Sequence, residues 1–316
     1  MADRMKIILT GSLGHISRPL ALSLIEKGHQ VTIISSRPER QFAIEALNPP
    51  WDGKQVRATI GKLQDVGFLT ETFRGADVVY LMEAINANTR AYFNHVMDID
   101  AEHFKLADSF AHALKNSGVS KVIHLSTIGA HTGYGVGLLN AHYYVEETLR
   151  ALPDHIHIKF MRPVGFYYNM FSFIPSIREE SAIFQNYGGE QREPWVSHLD
   201  IAEVISEEME LPFDGRTVRY IASDEVSPNQ VARVLGSAIG KPDLKWVQVS
   251  DEQFVYDLLY LGMNPDVAMG LTEMNTSRVN GILYEDYYKN RPELGKVKLT
   301  DFAKEFAKVY YQKPVI

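Results

Sequence analysis

Short apolar runs alternate along this chain with stretches whose apolar residues recur every three or four positions. Lys6 to Thr10 is apolar and stops at Gly11, which predicts a buried strand. Ile16, Leu20 and Leu24 stand at helical spacing, and Gly28 after Lys27 closes that helix. Val31 to Ile34 predicts a second strand. Pro38 sits just inside a second helix, where its missing N–H costs nothing. Val56 to Ile60 predicts a third strand, and Asp65 a cap for a short helix carrying Phe68, Leu69 and Phe73. Ala76 to Met82 predicts a fourth strand. A long helix follows, marked by Phe93, Met97, Ala101, Phe104, Ala107, Ala111 and Leu114 and closed by Gly118. Lys121 to Leu125, Leu138 to Leu149 and Ile156 to Met161 predict a fifth strand, a helix and a sixth strand. Repeated strand–helix–strand units with short connections imply a parallel sheet with helices on both faces. The near-continuous apolar strands agree, because such strands are buried on both sides.

After Arg162 and Pro163 this rhythm breaks. Segments 163–195 and 244–316 are rich in Tyr, Phe and Met, whereas Val196 to Met209 and Thr217 to Ile239 look like a return to the sheet. We therefore expect a sheet domain of residues 1–162 with 196–243, and a smaller, discontinuous C-terminal lobe of residues 163–195 with 244–316. The length of 316 residues suits about two such units.

Composition narrows the chemistry. There is no cysteine, which excludes disulfides, cysteine metal sites and a thiol nucleophile. The net charge of −7 argues against nucleic acid as a direct partner. No run approaches the roughly 20 apolar residues that span a bilayer, and the N-terminus has no signal-peptide core, so we expect a cytoplasmic protein without a membrane partner.

The first strand leads into Thr10, Gly11, Ser12, Leu13, Gly14, His15, Ile16 and Ser17, which reads Gly-x-x-Gly-x-x-Ser. Gly11 permits a tight turn and Gly14 a close approach of backbone to a pyrophosphate. The free N–H groups near His15 and Ile16 would receive the negative charge, and Ser17 is small enough for helix–strand contact. Its place after a strand and before a helix is the context that a dinucleotide loop requires. The bland alternative is a plain strand–helix turn. At the end of the second strand stand Ser35, Ser36 and Arg37, with no acid before Glu39. NAD binders commonly place Asp or Glu there, whereas an arginine can pair with a 2′-phosphate. This favours NADP(H) over NAD(H); the alternative is a solvated arginine at a helix start.

On these residues the chain resembles the NmrA-like family of atypical short-chain dehydrogenases/reductases. Further matching pieces are Gly75 to Tyr80, Val119 to Ser126, Arg162 to Phe166 with Asn169, Trp195 to Ala202, Ser227 to Ala232 and Lys245 to Val249. The resemblance implies a Rossmann-like α/β domain, a small substrate lobe and a preference for NADPH. It implies either a reductase of a small apolar or aromatic acceptor, such as a quinone or enone, or an NADP(H)-responsive regulator with little catalysis and a protein partner. For the dinucleotide it points to Gly11, Ser12, Leu13, Gly14, His15, Ile16, Arg37, Met82 and His142.

Catalysis is where the chain departs from its wider superfamily. The superfamily's Tyr-x-x-x-Lys is absent. If Glu146 is the glutamate four residues beyond the Lys position, His142 takes the Lys slot and Leu138 the Tyr slot. The usual Gly-Asp after the third strand reads Gly61 and Lys62. His142 could bond the ribose or donate a proton near neutral pH; the alternative is a helix histidine paired with Glu146. Ser126 and Thr127 lie at the carboxyl end of the fifth strand, where open α/β sheets place ligands, or they cap that strand end. Tyr143, Tyr144 and Tyr134 are substitute acids or simply packing, and Tyr134 sits in a glycine-rich segment that could move as a lid.

Other constellations carry less. His155 and His157 have no third ligand nearby and there is no His-Glu-x-x-His, so no metal site is expected. No nucleophile-elbow Gly-x-Ser-x-Gly surrounds Ser12 or Ser126. The aromatic segments Phe166 to Phe171 and Tyr284 to Tyr288 either line an apolar pocket or build the lobe core.

Overall fold

The computed structural model describes residues 4–50, 53–83, 85 and 91–312. Seven strands form one parallel sheet. They are β1 (Lys6–Leu9), β2 (Gln30–Ser35), β3 (Val56–Ile60), β4 (Val78–Leu81), β5 (Lys121–Leu125), β6 (His157–Pro163) and β10 (Arg216–Ile221). Their order is β10-β6-β5-β4-β1-β2-β3, so the chain's progression across the sheet reverses between β1 and β4 while every strand stays parallel. The α/β Rossmann-like fold expected from the sequence is the one observed.

The pleat divides the apolar strands between two cores. Ile7, Leu9, Val78 and Tyr80 face one side, with Leu20 and Leu24 of α1 (Ser17–Glu26) and Ile201 and Ile205 of α7 (His198–Glu210). Ile8, Val79 and Leu81 face the other, with Leu69 of α3 (Val66–Phe73), Phe110 of α4 (Ile99–Ser117) and Val145 of α5 (Asn140–Arg150). Residues adjacent in a strand thus serve opposite layers.

Helix ends follow their capping chemistry. Asp65 caps α3, its Oδ1 accepting from the Phe68 N–H at 3.0 Å. Gly118 ends α4 in the left-handed conformation at φ +82°. The start of α4 differs from expectation: Asp98 accepts from the Ala101 N–H at 2.9 Å, so the helix begins at Ile99 and leaves Phe93 and Met97 outside it. The remaining element of this region is the short α2 (Gln41–Glu45).

The lobe has its own core. Strands β7 (Gly165–Phe166), β9 (Glu193–Val196) and β11 (Asp224–Val226) form one small sheet, and β8 (Ala182–Gln185) pairs with β12 (Lys245–Gln248). Tyr167, Trp195 and Trp246 pack there against Phe302 and Phe306 of α12 (Leu299–Tyr311). Helix α8 (Pro228–Ala238) lies in the stretch expected to return to the sheet, yet its Val231, Ala232 and Leu235 bury into this lobe core. The remaining helices are α6 (Ile174–Glu180), α9 (Asp251–Tyr260), α10 (Pro265–Val279) and α11 (Glu285–Lys289), the last of which carries Tyr287 into the sheet core. Asp200 of α7 links the two regions: it accepts from the Ser223 hydroxyl and, at 3.0 Å, from the Val297 N–H. Among the described residues no helix is long and apolar enough to cross a membrane.

Candidate functional site

After β1 the chain turns at once. Gly11 has φ +95° and Ser12 φ +54°, both in the left-handed region. A Cβ on Gly11 would lie 2.2 Å from Cε of Met82 and 3.1 Å from Oγ of Ser17. Met82 is tied to the turn, its N–H donating to Oγ1 of Thr10 at 2.8 Å. Leu13 packs against the sheet core, while Gly14 and His15 are exposed. A Cβ on Gly14 would touch only the Gly11 carbonyl, at 3.6 Å. Helix α1 then begins behind Ile16, with no side-chain cap and no acid in its first turn. Its leading N–H groups and the positive end of its dipole are therefore uncompensated by a side chain, which is what a phosphate needs.

Arg37 joins this loop through a serine. Ser35 Oγ accepts from Ser12 Oγ at 3.2 Å and from the Arg37 N–H at 3.1 Å. The Arg37 side chain is exposed, and no hydrogen bond or ion pair to its guanidinium exists among the described residues. The fold therefore brings together Gly11 to Ile16, Met82 and Arg37 at the point where the strand order reverses, the place where open α/β sheets hold ligands. From the lobe, the Tyr168 ring lies 4.0 Å from that of His15.

The expected catalytic residues take different partners. Ser126 is buried and donates to Oε1 of Glu146 at 2.6 Å, so its hydroxyl is committed to structure. Thr127 is half-buried beside it. Leu138, in the superfamily's Tyr slot, packs under α10: a Cβ on Gly270 would lie 2.7 Å from its Cδ2. The glycine-rich segment is anchored at its far end. Gly137, at φ +58°, runs so close to α10 that a Cβ would lie 1.9 Å from the Gly270 carbonyl. Tyr134 is 77% exposed. Tyr143 and Tyr144 meet edge to face at 5.3 Å and line, with Tyr134, His131 and Ile282, a surface cavity. A second cavity, which shares Tyr143 and His131 with the first, is polar, walled by Glu146, Arg150, Arg162 and Asp286.

The aromatic segments divide between two cores: Tyr167 and Phe171 pack in the lobe, whereas Tyr284 and Tyr287 join the core beneath the sheet. Tyr167 stacks on Phe302 at 5.3 Å and Phe171 on Phe306 at 5.8 Å. Tyr284 and Tyr287 are buried and donate to Glu193 at 2.8 Å and Glu225 at 2.9 Å. His155 and His157 do not act together: His157 Nδ1 accepts from the Gly215 N–H at 2.9 Å, whereas His155 is exposed before β6 begins.

His142 does not pair with Glu146. It turns toward α4, its ring 4.7 Å from that of His103, and both rings lie beside Glu83 just past β4. Nε2 of His124 donates to both Glu83 oxygens, at 3.0 and 3.1 Å. Burial pushes the Glu83 carboxyl up, but the charge and hydrogen bond of His124, with His142 and His103 beyond, prevail and hold it at about 2. Burial and the neighbouring His103 push His142 down to about 3, so it is neutral at pH 7. Sequence reading missed Glu83 and His103. Glu83 carries a positional signal, standing at the carboxyl end of a strand beside the switch point, but nothing in the spacing of His103 announces its partners.

Comparison with solved structures supports this architecture. An NADPH-dependent quinone oxidoreductase from Escherichia coli, complexed with NADPH, superposes with a TM-score of 0.75 at 20% identity, covering 95% of this chain and 99% of that one. A nucleoside-diphosphate-sugar epimerase from Staphylococcus aureus does so with a TM-score of 0.74 at 16% identity, over 95% and 100%. The triphenylmethane reductase of Citrobacter sp., complexed with NADP(H), follows at 0.67 and 16%, over 95% and 99%. At these identities the likeness speaks for the fold. No curated protein matches the chain in sequence. The family model that does match spans residues 3–289, from the first strand through the phosphate-type loop and the seven-stranded sheet into α11, and by that match the chain belongs to the NmrA-like family.

Proposed function

We propose that this protein is an NADP(H)-dependent reductase of a small aromatic acceptor such as a quinone or an enone. The observation that carries the reading is the turn from Gly11 into an uncapped α1 with the unpaired Arg37 joined to it through Ser35. The helix N-terminus takes the pyrophosphate, and the guanidinium and nearby serines take a 2′-phosphate. Bound there, the dinucleotide supplies the hydride. The chain's own part is to hold it across the switch point and to orient the acceptor. A quinone suits the side chains present, because its reduced oxygens take protons from water. Neither Leu138 nor the neutral His142 has to deliver one. The quinone oxidoreductase and dye reductase among the similar folds are in keeping with this acceptor class.

A second reading, an NADP(H)-responsive regulator without turnover, is favoured by one observation: the Tyr slot is filled by Leu138 and sealed against α10. Titration with NADPH and NADH, followed by NADPH oxidation across quinones and enones, tests both. Tight NADPH binding with turnover supports the reductase. Binding without turnover on any acceptor supports the regulator. Failure to bind either dinucleotide removes both.

A further inference from the structure

We propose that Glu83, His103 and His142 form a binding site for a borderline divalent transition metal, Zn²⁺ foremost, at the carboxyl end of β4. Each residue comes from a different element: Glu83 follows β4, His103 stands on α4 and His142 on α5. One ligand atom from each lies within 4.8 Å of the other two. Ligands about 2.0–2.1 Å from a tetrahedral zinc are roughly 3.3 Å apart, so closure requires movements of about 1–1.5 Å, within the reach of side-chain rotation.

Two further observations point to a ligand. Nδ1 of His103 and Nδ1 of His142 are buried without a hydrogen-bond partner. Buried polar atoms are nearly always satisfied, so two orphaned ring nitrogens on adjacent imidazoles call for a partner. Glu83, its side chain 2% exposed, is oriented by His124, which donates to both of its oxygens. A hydrogen bond that fixes a ligating carboxylate is the outer support that metal sites use. Each carboxylate oxygen keeps a lone pair for the metal.

Two imidazoles and one carboxylate are a donor set suited to zinc and its neighbours rather than to calcium or magnesium, which prefer oxygen alone. Three protein ligands leave at least one position for water or for an oxygen of a bound molecule. The site stands on these side chains, whether or not the crevice holds a dinucleotide.

The test is competition between metal-free full-length protein and a chromogenic chelator for Zn²⁺, with Co²⁺ as a spectroscopic probe. The expected result is one equivalent of Zn²⁺ and the strong visible bands of four- or five-coordinate cobalt. Glu83→Gln, which keeps the side chain's shape, and His103→Ala should each remove that equivalent, with folding verified by circular dichroism. His124→Gln should weaken it about 10- to 100-fold, and the exposed His155→Ala should leave it intact. Zinc uptake that is absent in the unaltered protein overturns the proposal. So does uptake that survives Glu83→Gln or disappears with His155→Ala, because the metal is then held by surface histidines.

Discussion

Arg162 grips Glu146 with two parallel bonds, Nε to Oε1 at 2.8 Å and Nη2 to Oε2 at 2.7 Å, between the end of β6 and the middle of α5. Both side chains are nearly inaccessible, at 6% and 1% exposure. Ser126 adds a third bond to Glu146, and Arg162 also donates to the Ala130 carbonyl at 3.1 Å. The pair fixes α5 against the sheet and thereby the orientation of His142 and Tyr143.

Removing Glu146 leaves Arg162 with Asp286 and Tyr220, each at 3.2 Å, and the Ala130 carbonyl as its remaining partners. Glu146→Ala should therefore cost about 1–3 kcal/mol in urea unfolding, the loss of charge-assisted bonds from a buried network. A loss below about 1 kcal/mol would mean that water reaches the guanidinium.

The same pair sets an acid limb. Burial raises the Glu146 carboxyl, but the Arg162 bonds and charge outweigh it, and the folded-state value lies below the ordinary 4.5. A carboxylate with a depressed value stabilises the fold above its unfolded value, and that contribution is lost as pH falls through the folded one. Stability should therefore decline as pH drops below about 4.5. In Glu146→Gln this part of the decline should be missing. Parallel pH profiles for both proteins would remove the assignment.

Gly11 and Gly14 should respond differently to a side chain. Gly14→Val has room, since only the Gly11 carbonyl lies within 4 Å of the new Cβ. It should leave the circular dichroism and melting curve unchanged and abolish NADPH binding by occupying the pyrophosphate's approach. Gly11→Ala carries a φ of +95° and a clash with Met82, so it should also cost roughly 1–2 kcal/mol of stability. Unchanged NADPH affinity in Gly14→Val would refute the loop assignment.

Arg37→Ala should weaken NADPH about ten- to a hundredfold, the worth of one charge-assisted contact, and leave NADH nearly unaffected. Fluorescence titration of both cofactors decides it. Equal losses would show that the guanidinium does not read the 2′-phosphate.

Gly137→Ala should be among the most damaging single changes, at about 3 kcal/mol or more. Its Cβ would lie 1.9 Å from the Gly270 carbonyl and 2.7 Å from the Met274 nitrogen, and backbone cannot swing aside as a flexible side chain can. Denaturant unfolding checks it; a neutral result would mean that α10 can retreat from this segment.

Sequence periodicity determined six of the seven sheet strands, because a strand buried on both faces is largely apolar and a helix on one face is apolar at every third or fourth position; the edge strand β10, Arg-Thr-Val-Arg-Tyr-Ile, carries no such run. The sequence also placed the glycine turn, since a strand followed by Gly-x-x-Gly at a helix start has few other uses, and it put Arg37 at the end of β2. Tertiary structure decided the rest. Ser126 became a structural donor only because β6 brings Arg162 and α5 brings Glu146 to it. Tyr284 and Tyr287 became core because acids at positions 193 and 225, far away in sequence, accept their hydroxyls. Glu83, His103 and His142 share no spacing in the chain and meet because α4 and α5 pack side by side beyond the end of β4. Local pattern records which face a residue turns to the core. Which distant side chains converge at one strand end depends on the packing of whole elements, and no short stretch of sequence encodes that.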